Sequence, residues 1–222
     1  MKRIFQCIGA ILLVVLFSNC AGHRTLRPDS IVVVKEIDLP KSASRIAQFA
    51  THTYIDYREN VNAPWHRVEV KTPKSGVVMA QLKSGAVNEK KRWGERVRIL
   101  SQTDGVNNPN VFRDIRLFAK GYDDSVYRSY PGPNSNTFIE KLARDVDGVN
   151  VILDHNAIGK EVGFHVGKTS GGTGLEVQTP IVGAAVGVKE GVEVSALGLS
   201  AGISIWTPSI RIPFLPRIPT WE

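Results

Sequence analysis

His52 and Ser135 are the residues of this sequence whose types and settings suit nucleophilic chemistry. His52 falls in Thr51 to Arg58 (THTYIDYR), which alternates as a strand does, and Ser135 stands at the start of a predicted helix, Asn134 to Arg144 (NSNTFIEKLAR). A serine hydroxyl attacks only once a base takes its proton, and the backbone N–H groups at a helix N-terminus can hold the oxyanion that results. In that reading Ser135 is the nucleophile, His52 the base, and Asn134 or Asn136 an orienting or oxyanion-side partner. A structural reading competes. Asn134, Ser135, Asn136 and Thr137 are all good N-caps, Thr137-Phe138-Ile139-Glu140 fits a capping box, and the Pro131-Gly132-Pro133 turn simply aims the chain.

Other constellations fall away on context. Gly198-Leu199-Ser200-Ala201-Gly202 has the letters of a nucleophile elbow, but an alternating strand follows it instead of a helix, and no histidine comes after His165. Gly171-Gly172-Thr173-Gly174 lacks the preceding strand and following helix that would present phosphate, so it is expected to be a flexible turn. His52, His66, His155 and His165 sit in different segments without paired ligand spacing, and Asp123-Asp124 and Asp145 with Asp147 offer too few oxygens for a calcium loop. No metal and no cofactor is expected.

The elements that must position these side chains follow from pattern. Ile31 to Ile37 has the β-branched density of a strand, and Ser42 to Phe49 suits a short helix. Thr51 to Arg58 puts His52, Tyr54 and Asp56 on one side and Thr53, Ile55 and Tyr57 on the other. With Trp65 to Lys71 and Val77 to Leu82 it makes an antiparallel meander. Trp93 to Leu100 is a further strand, and Asn110 to Lys120 repeats its apolar residues at helical spacing. After Gly148 the pattern is glycine-punctuated β. Gly174 to Val188 and Val192 to Ile205 predict a hairpin turning at Lys189-Glu190-Gly191, and Pro208 to Pro219 an extended edge. The expectation is a single α+β domain over 31–222, an antiparallel sheet with a few helices and a β-rich part from about 150 onward that holds the hairpin.

The N-terminus bears on location. Lys2 and Arg3 precede the apolar stretch Ile8 to Phe17, then Ser18, Asn19 and Cys20, the layout of an export signal over 1–19, and the run is shorter than the about 20 residues a spanning helix needs. Leu16-Phe17-Ser18-Asn19-Cys20 resembles a lipobox, so Cys20 is the expected lipidation site, carrying diacylglycerol and an amide-linked chain such as palmitate, with Ala21 to Ser30 (residues 20–30 in all) as tether. An ordinary cleaved signal is the alternative. Cys7 leaves with the signal, so the mature chain keeps no free thiol. The 222 residues hold 28 Lys and Arg against 21 Asp and Glu, and losing Lys2 and Arg3 takes the formal charge from +7 to +5. Its densest clusters, Lys90-Lys91-Arg92 and Arg96 with Arg98, are expected to form a solvated face, and nothing interleaves aromatic with basic residues as nucleic-acid binding would require. A lipid anchor in the cell envelope follows, with the outer membrane preferred because Ala21 stands after Cys20 where an inner-membrane lipoprotein of some bacteria carries aspartate.

The blocks THTYIDYR, YPGPNSNTF (Tyr130 to Phe138), NAIGKE (Asn156 to Glu161) and the glycine-rich tail Ser170 to Gly202 together resemble, in order, a bacterial family known as domain of unknown function 3750. The likeness runs from about Ile46 to Arg217. Tyr54 stands where a Trp is common in that family, which implies no established activity. The order of motifs is also distantly similar to permuted papain-like folds of the NlpC/P60 and lecithin-retinol-acyltransferase kind, in which a strand histidine precedes a cysteine that opens a helix. That likeness implies a serine-dependent envelope amidase, peptidase or acyltransferase, with Ser135 in the place of the thiol. The reading set against it is a lipoprotein that binds a partner, a cell-wall component or a small molecule without catalysis, in an oligomeric state the sequence leaves open.

Overall fold

The computed structural model describes residues 32–42, 47–71, 75–83, 85–104, 108, 110–215 and 218. The predicted signal, Cys20 and its tether lie outside these residues, as does 43–46 of the predicted Ser42 to Phe49 helix; Ala47–Phe49 forms a single 3-10 turn.

The chain is an α+β fold of two helices and two antiparallel sheets. The first sheet holds β1 (Val32–Asp38), β2 (Thr51–Tyr57), β3 (His66–Val70), β4 (Val77–Gln81), β5 (Lys91–Arg92) and β6 (Glu95–Thr103), in the spatial order β4-β3-β2-β1-β6-β5. The predicted meander is therefore present as β2-β3-β4, with Val34 paired to Ile55 and Ile55 to Val68. Helices α1 (Val111–Gly121) and α2 (Ser135–Asp145) lie on one face. There Val34, Ile55, Tyr57 and Val68 meet Phe112, Ile115, Phe138 and Leu142 in the main apolar core, each buried side chain contributing about 1.5–3 kcal/mol.

All seven residues of β2 are buried, which requires cover on the sheet's other face as well. Residues 86–93, a 3-10 turn followed by β5, supply it: the Val87 carbonyl accepts from Lys35, Glu89 pairs with Arg67, and Arg92 pairs with Glu69. Arg92 and Arg98 are thus ion-pair partners of interior carboxylates, not part of the solvated basic face that their clustering suggests. Charges so close to Glu69 and Glu36 are held by those pairs.

The second sheet is a meander of β7 (His165–Lys168), β8 (Gly174–Gln178), β9 (Val182–Gly187), β10 (Gly191–Ala196), β11 (Leu199–Ser204) and β12 (Ser209–Arg211). The predicted hairpin survives as β9–β10 but belongs to this larger sheet. Pro180 interrupts the first long stretch, and Leu197-Gly198 turns the second, both residues at positive φ (51° and 78°) as a two-residue hairpin loop demands. The proline-rich tail supplies β12 as the edge strand, with the prolines falling outside Ser209–Arg211 and Ile210 bridged in turn to Ile218.

The side-chain alternation of this sheet is inverted relative to an ordinary half-buried sheet. Glu176, Gln178, Glu193, Ser195 and Arg211 point inward and are buried, while Leu175, Val177, Val186, Val192, Val194 and Ile203 point outward and are exposed. The inward carboxylates are compensated by cations from elsewhere in the chain. Arg144 of α2 pairs with Glu176 and Glu140, Lys160 with Glu193 at 2.5 Å, and Arg211 with Glu193 at 2.9 Å. Those pairs weld the second sheet to α2 and to the segment 149–164.

Candidate functional site

The block Tyr130 to Phe138 builds the N-terminus of α2 into a clasp. Asn134 caps the helix, its side-chain oxygen accepting from the N–H groups of Asn136 and Thr137 while Thr137 Oγ1 accepts from the N–H of Asn134. This is a full capping box, three residues earlier than the Thr137-to-Glu140 box read from the sequence. The amide nitrogen of Asn134 donates to the carbonyls of Ser129 and Ile158. Asn136 accepts from Thr53 Oγ1 at 3.0 Å and donates to the carbonyls of Thr51 and Ile158, both at 2.9 Å. Thr137 Oγ1 in turn donates to the Gly159 carbonyl. The two asparagines and Thr137 therefore bolt α2 to β2 on one side and to the Asn156 to Glu161 block on the other. Gly159, at φ 81°, fits only as glycine, because a Cβ there would stand 2.5 Å from Asn134 Nδ2 and 2.7 Å from the Pro131 carbonyl.

Ser135 is buried at the first turn of α2, beside this clasp. His52 is elsewhere. Adjacent residues of a strand point to opposite faces, and Thr53 reaches Asn136 on the helix face, so His52 points to the face covered by residues 86–93. There its Nε2 lies 3.1 Å from Glu69 Oε2, and its ring centroid is 5.2 Å from that of Trp93 and 6.0 Å from that of Tyr54. The structure does not bring His52 and Ser135 together: the sheet lies between them. Asn134 and Asn136, proposed as orienting or oxyanion-side partners, have their side chains committed to the clasp. The permuted papain-like arrangement, which needs histidine and helix N-terminus on the same side, accordingly finds no support.

What surrounds His52 is a buried ionic network that sequence reasoning missed. Glu69 receives a fork of two bonds from Arg92 (2.9 and 3.0 Å), and Asp56 receives Arg67 (2.7 and 3.0 Å) and Lys35 (2.7 Å). The Tyr54 ring is in cation–π contact with both guanidiniums, 4.4 Å from Arg67 and 4.9 Å from Arg92. Burial pushes the His52 imidazole below its ordinary value against the pull of Glu69. Burial also opposes ionisation of Glu69, but the hydrogen bonds from His52 and Arg92 overcome it and hold that carboxyl well down. A neutral histidine whose Nε2 is already engaged by a carboxylate is a structural member of this network. The signal in the sequence was Lys35-Glu36 inside a β-branched run, and it means a strand buried on both faces.

The second network, under the C-terminal sheet, encloses a cavity of about 30 Å³ lined by Glu140, Lys160, Glu161, Glu176, Glu193 and Arg211 among others. That is room for a water and too small for an organic ligand. Burial drives the Glu161 carboxyl well above its ordinary value, while Lys160 and Arg211, with a hydrogen bond from Glu161, hold Glu193 down at about 2. Beside them, the Gly171 to Gly174 turn wraps a carboxylate instead of a phosphate: Glu190 accepts from the hydroxyls of Thr169 and Thr173 and from the Thr173 N–H. Ser200 of the elbow-like string faces inward on β11, its hydroxyl 3.5 Å from the His155 carbonyl. His66 stacks on Tyr57, and His155 is pinned between Asp154 and the Leu215 carbonyl. Among the described residues no group of three or more acidic, histidine or cysteine side chains is arranged to hold a metal ion, and no helix is long and apolar enough to cross a membrane.

The feature that none of these internal bonds uses is the outward face of the second sheet. No curated protein and no solved structure matches the chain. A family model does, and its span of residues 34–162 takes in the first sheet, both helices, the clasp and the Asn156 to Glu161 block but stops before β7. With more than half of its length matched, the chain belongs to the family described as protein of unknown function, DUF3750.

Proposed function

We propose that this chain is a non-catalytic partner-binding module of the bacterial cell envelope, held at a membrane by a lipid on Cys20. The observation that carries the binding part is the outward face of the β7–β12 sheet, where Leu175, Val186, Val192, Val194 and Ile203 are each more than half exposed. A contiguous apolar face of this kind marks an interaction surface, since soluble monomers rarely leave so much apolar area bare. Supporting the non-catalytic part, the polar side chains of the motif block are spent on holding α2 in place, and His52 is engaged with Glu69 across the sheet from Ser135. The lipobox-like Leu16 to Cys20 supports the anchor, and Ala21 in place of aspartate favours the outer membrane.

The test is accessibility in the native envelope. Val194→Cys lies at the centre of the face, and Val61→Cys on an exposed loop beside the first sheet, 63% exposed. A hydrophilic maleimide added to intact envelopes is expected to label the Val61→Cys chain and leave Val194→Cys unreacted until the protein is denatured. Equal labelling of both in the native state overturns the binding reading.

A further inference from the structure

We propose that the face is covered by the same face of a second copy, so that two six-stranded sheets stack into one β-sandwich shared between chains. This inference rests on the partner-binding reading and names the partner. The register shows how continuous the surface is. One row runs straight across all six strands, Lys168, Leu175, Val186, Val192, Ile203 and Ile210, and the next carries Val166, Val177, Ala184, Val194 and Ala201. Lys168 is the one charged residue among the outward positions of the described strands. It sits on edge strand β7 and is held by Asp147 at 2.9 Å.

Size argues for a protein surface of matching shape. Six strands about 4.8 Å apart, of three to six residues each and rising about 3.4 Å per residue, span roughly 29 Å across and on average about 17 Å along the strands. The projected area is on the order of 500 Å², and a rugged face loses more accessible area than its projection, toward the ~800 Å² that each partner contributes to a stable interface. Self-pairing adds a condition: across a two-fold axis the patch meets itself, so an internal charge would meet its own like. The interior rows carry none. Ala184 and Ala201 beside valines keep the middle of the face low, which suits the ~10 Å separation of aligned sheets. A lipid-facing surface would instead be ringed by basic side chains at headgroup level. Here, Lys189 apart, the ends of the face are apolar too, with Ile181 and Leu197 exposed at one and Val188 and Ile205 at the other.

The experiment uses the full chain in its own cells. A photo-reactive benzophenone amino acid at position 194, with position 61 as control, is expected to yield on irradiation a covalent species of twice the chain's mass, containing this chain alone by mass spectrometry, from 194 and not from 61. Two differently tagged copies should also co-purify after mild solubilisation. Val186→Asp combined with Val194→Asp should cut that co-purification at least tenfold while the far-ultraviolet circular dichroism and protease resistance stay unchanged, since both positions are solvent-exposed in the single chain. An adduct with a different protein or with lipid, no adduct at all, or undiminished pairing of the double variant overturns the second-copy proposal. Protection of Val194→Cys from maleimide together with a foreign adduct would leave the partner-binding reading standing, whereas free labelling of Val194→Cys removes both.

Discussion

Asn134 and Ser135 are neighbours with opposite expected sensitivities. Asn134→Ala removes the helix cap and its bonds to the Ser129 and buried Ile158 carbonyls, so it should destabilise by about 1–2 kcal/mol in urea unfolding. Ser135→Ala should stay within ~1 kcal/mol, and a fluorophosphonate probe should treat wild type and Ser135→Ala alike; labelling lost only in the variant would revive the serine nucleophile. Glu36 gives a pH signature. Buried on the helix face of β1, it is pushed up to about 7 by burial and by Asp154, against the pull of Arg98 and the hydrogen bonds from Thr51 and Arg98; Asp38 shares Arg98 with it. Between its ordinary 4.5 and about 7 the unfolded chain has released this proton and the folded chain still holds it, so stability falls as pH rises through that window. The loss is on the order of 3 kcal/mol. Glu36→Gln lacks it, and the stability difference between variant and wild type should therefore grow in the variant's favour from pH 4.5 to pH 8. A difference independent of pH would remove Glu36 as the cause.

At the scale of elements, β2 and the second sheet show how far a period-two pattern reaches. The division of β2 into His52, Tyr54 and Asp56 against Thr53, Ile55 and Tyr57 was legible, because alternation is a property of the extended backbone. That both sides would be buried was not, since the cover over His52 comes from residues 86–93, whose position depends on ion pairs between distant segments. The joint between α2, the 149–164 segment and the second sheet is likewise ionic, and Lys160 is its centre. Lys160→Met should cost about 3–5 kcal/mol at pH 8, because Glu193, Glu161 and Glu140 lose their shared cation in a buried setting. The cost should shrink at pH 5, where these carboxyls can take up protons. Unfolding curves at the two pH values check this, and an equal cost at both would contradict the shared-charge account.

For the whole molecule, the family match and the apolar face divide the chain into different tasks. The matched 34–162 carries the clasp and the ionic cover of the first sheet, and β7 to β12 add a surface that the rest of the described residues do not bury. A lipid at Cys20 would hold that surface at a membrane, where confinement to two dimensions raises the concentration of copies. Cys20→Ala is expected to abolish incorporation of labelled palmitate and to release the protein from the membrane fraction; continued labelling of the variant would exclude Cys20 as the anchor.

The amino-acid sequence by itself determined the kinds of most elements and their order: the strands of the first sheet, the two helices and the alternation of the C-terminal strands are local consequences of side-chain type and backbone geometry. The choice of Asn134 among four competing caps and the breaking of two long strands into a six-stranded sheet were not legible. Tertiary structure alone decided which way the alternating faces point. A period-two pattern is unchanged when its two faces are exchanged, so Glu176 and Glu193 could be assigned to the interior only once Arg144, Lys160 and Arg211 arrived from other parts of the chain to neutralise them. The same exchange turned Val192 and Val194 out to solvent and set His52 and Ser135 on opposite sides of one sheet.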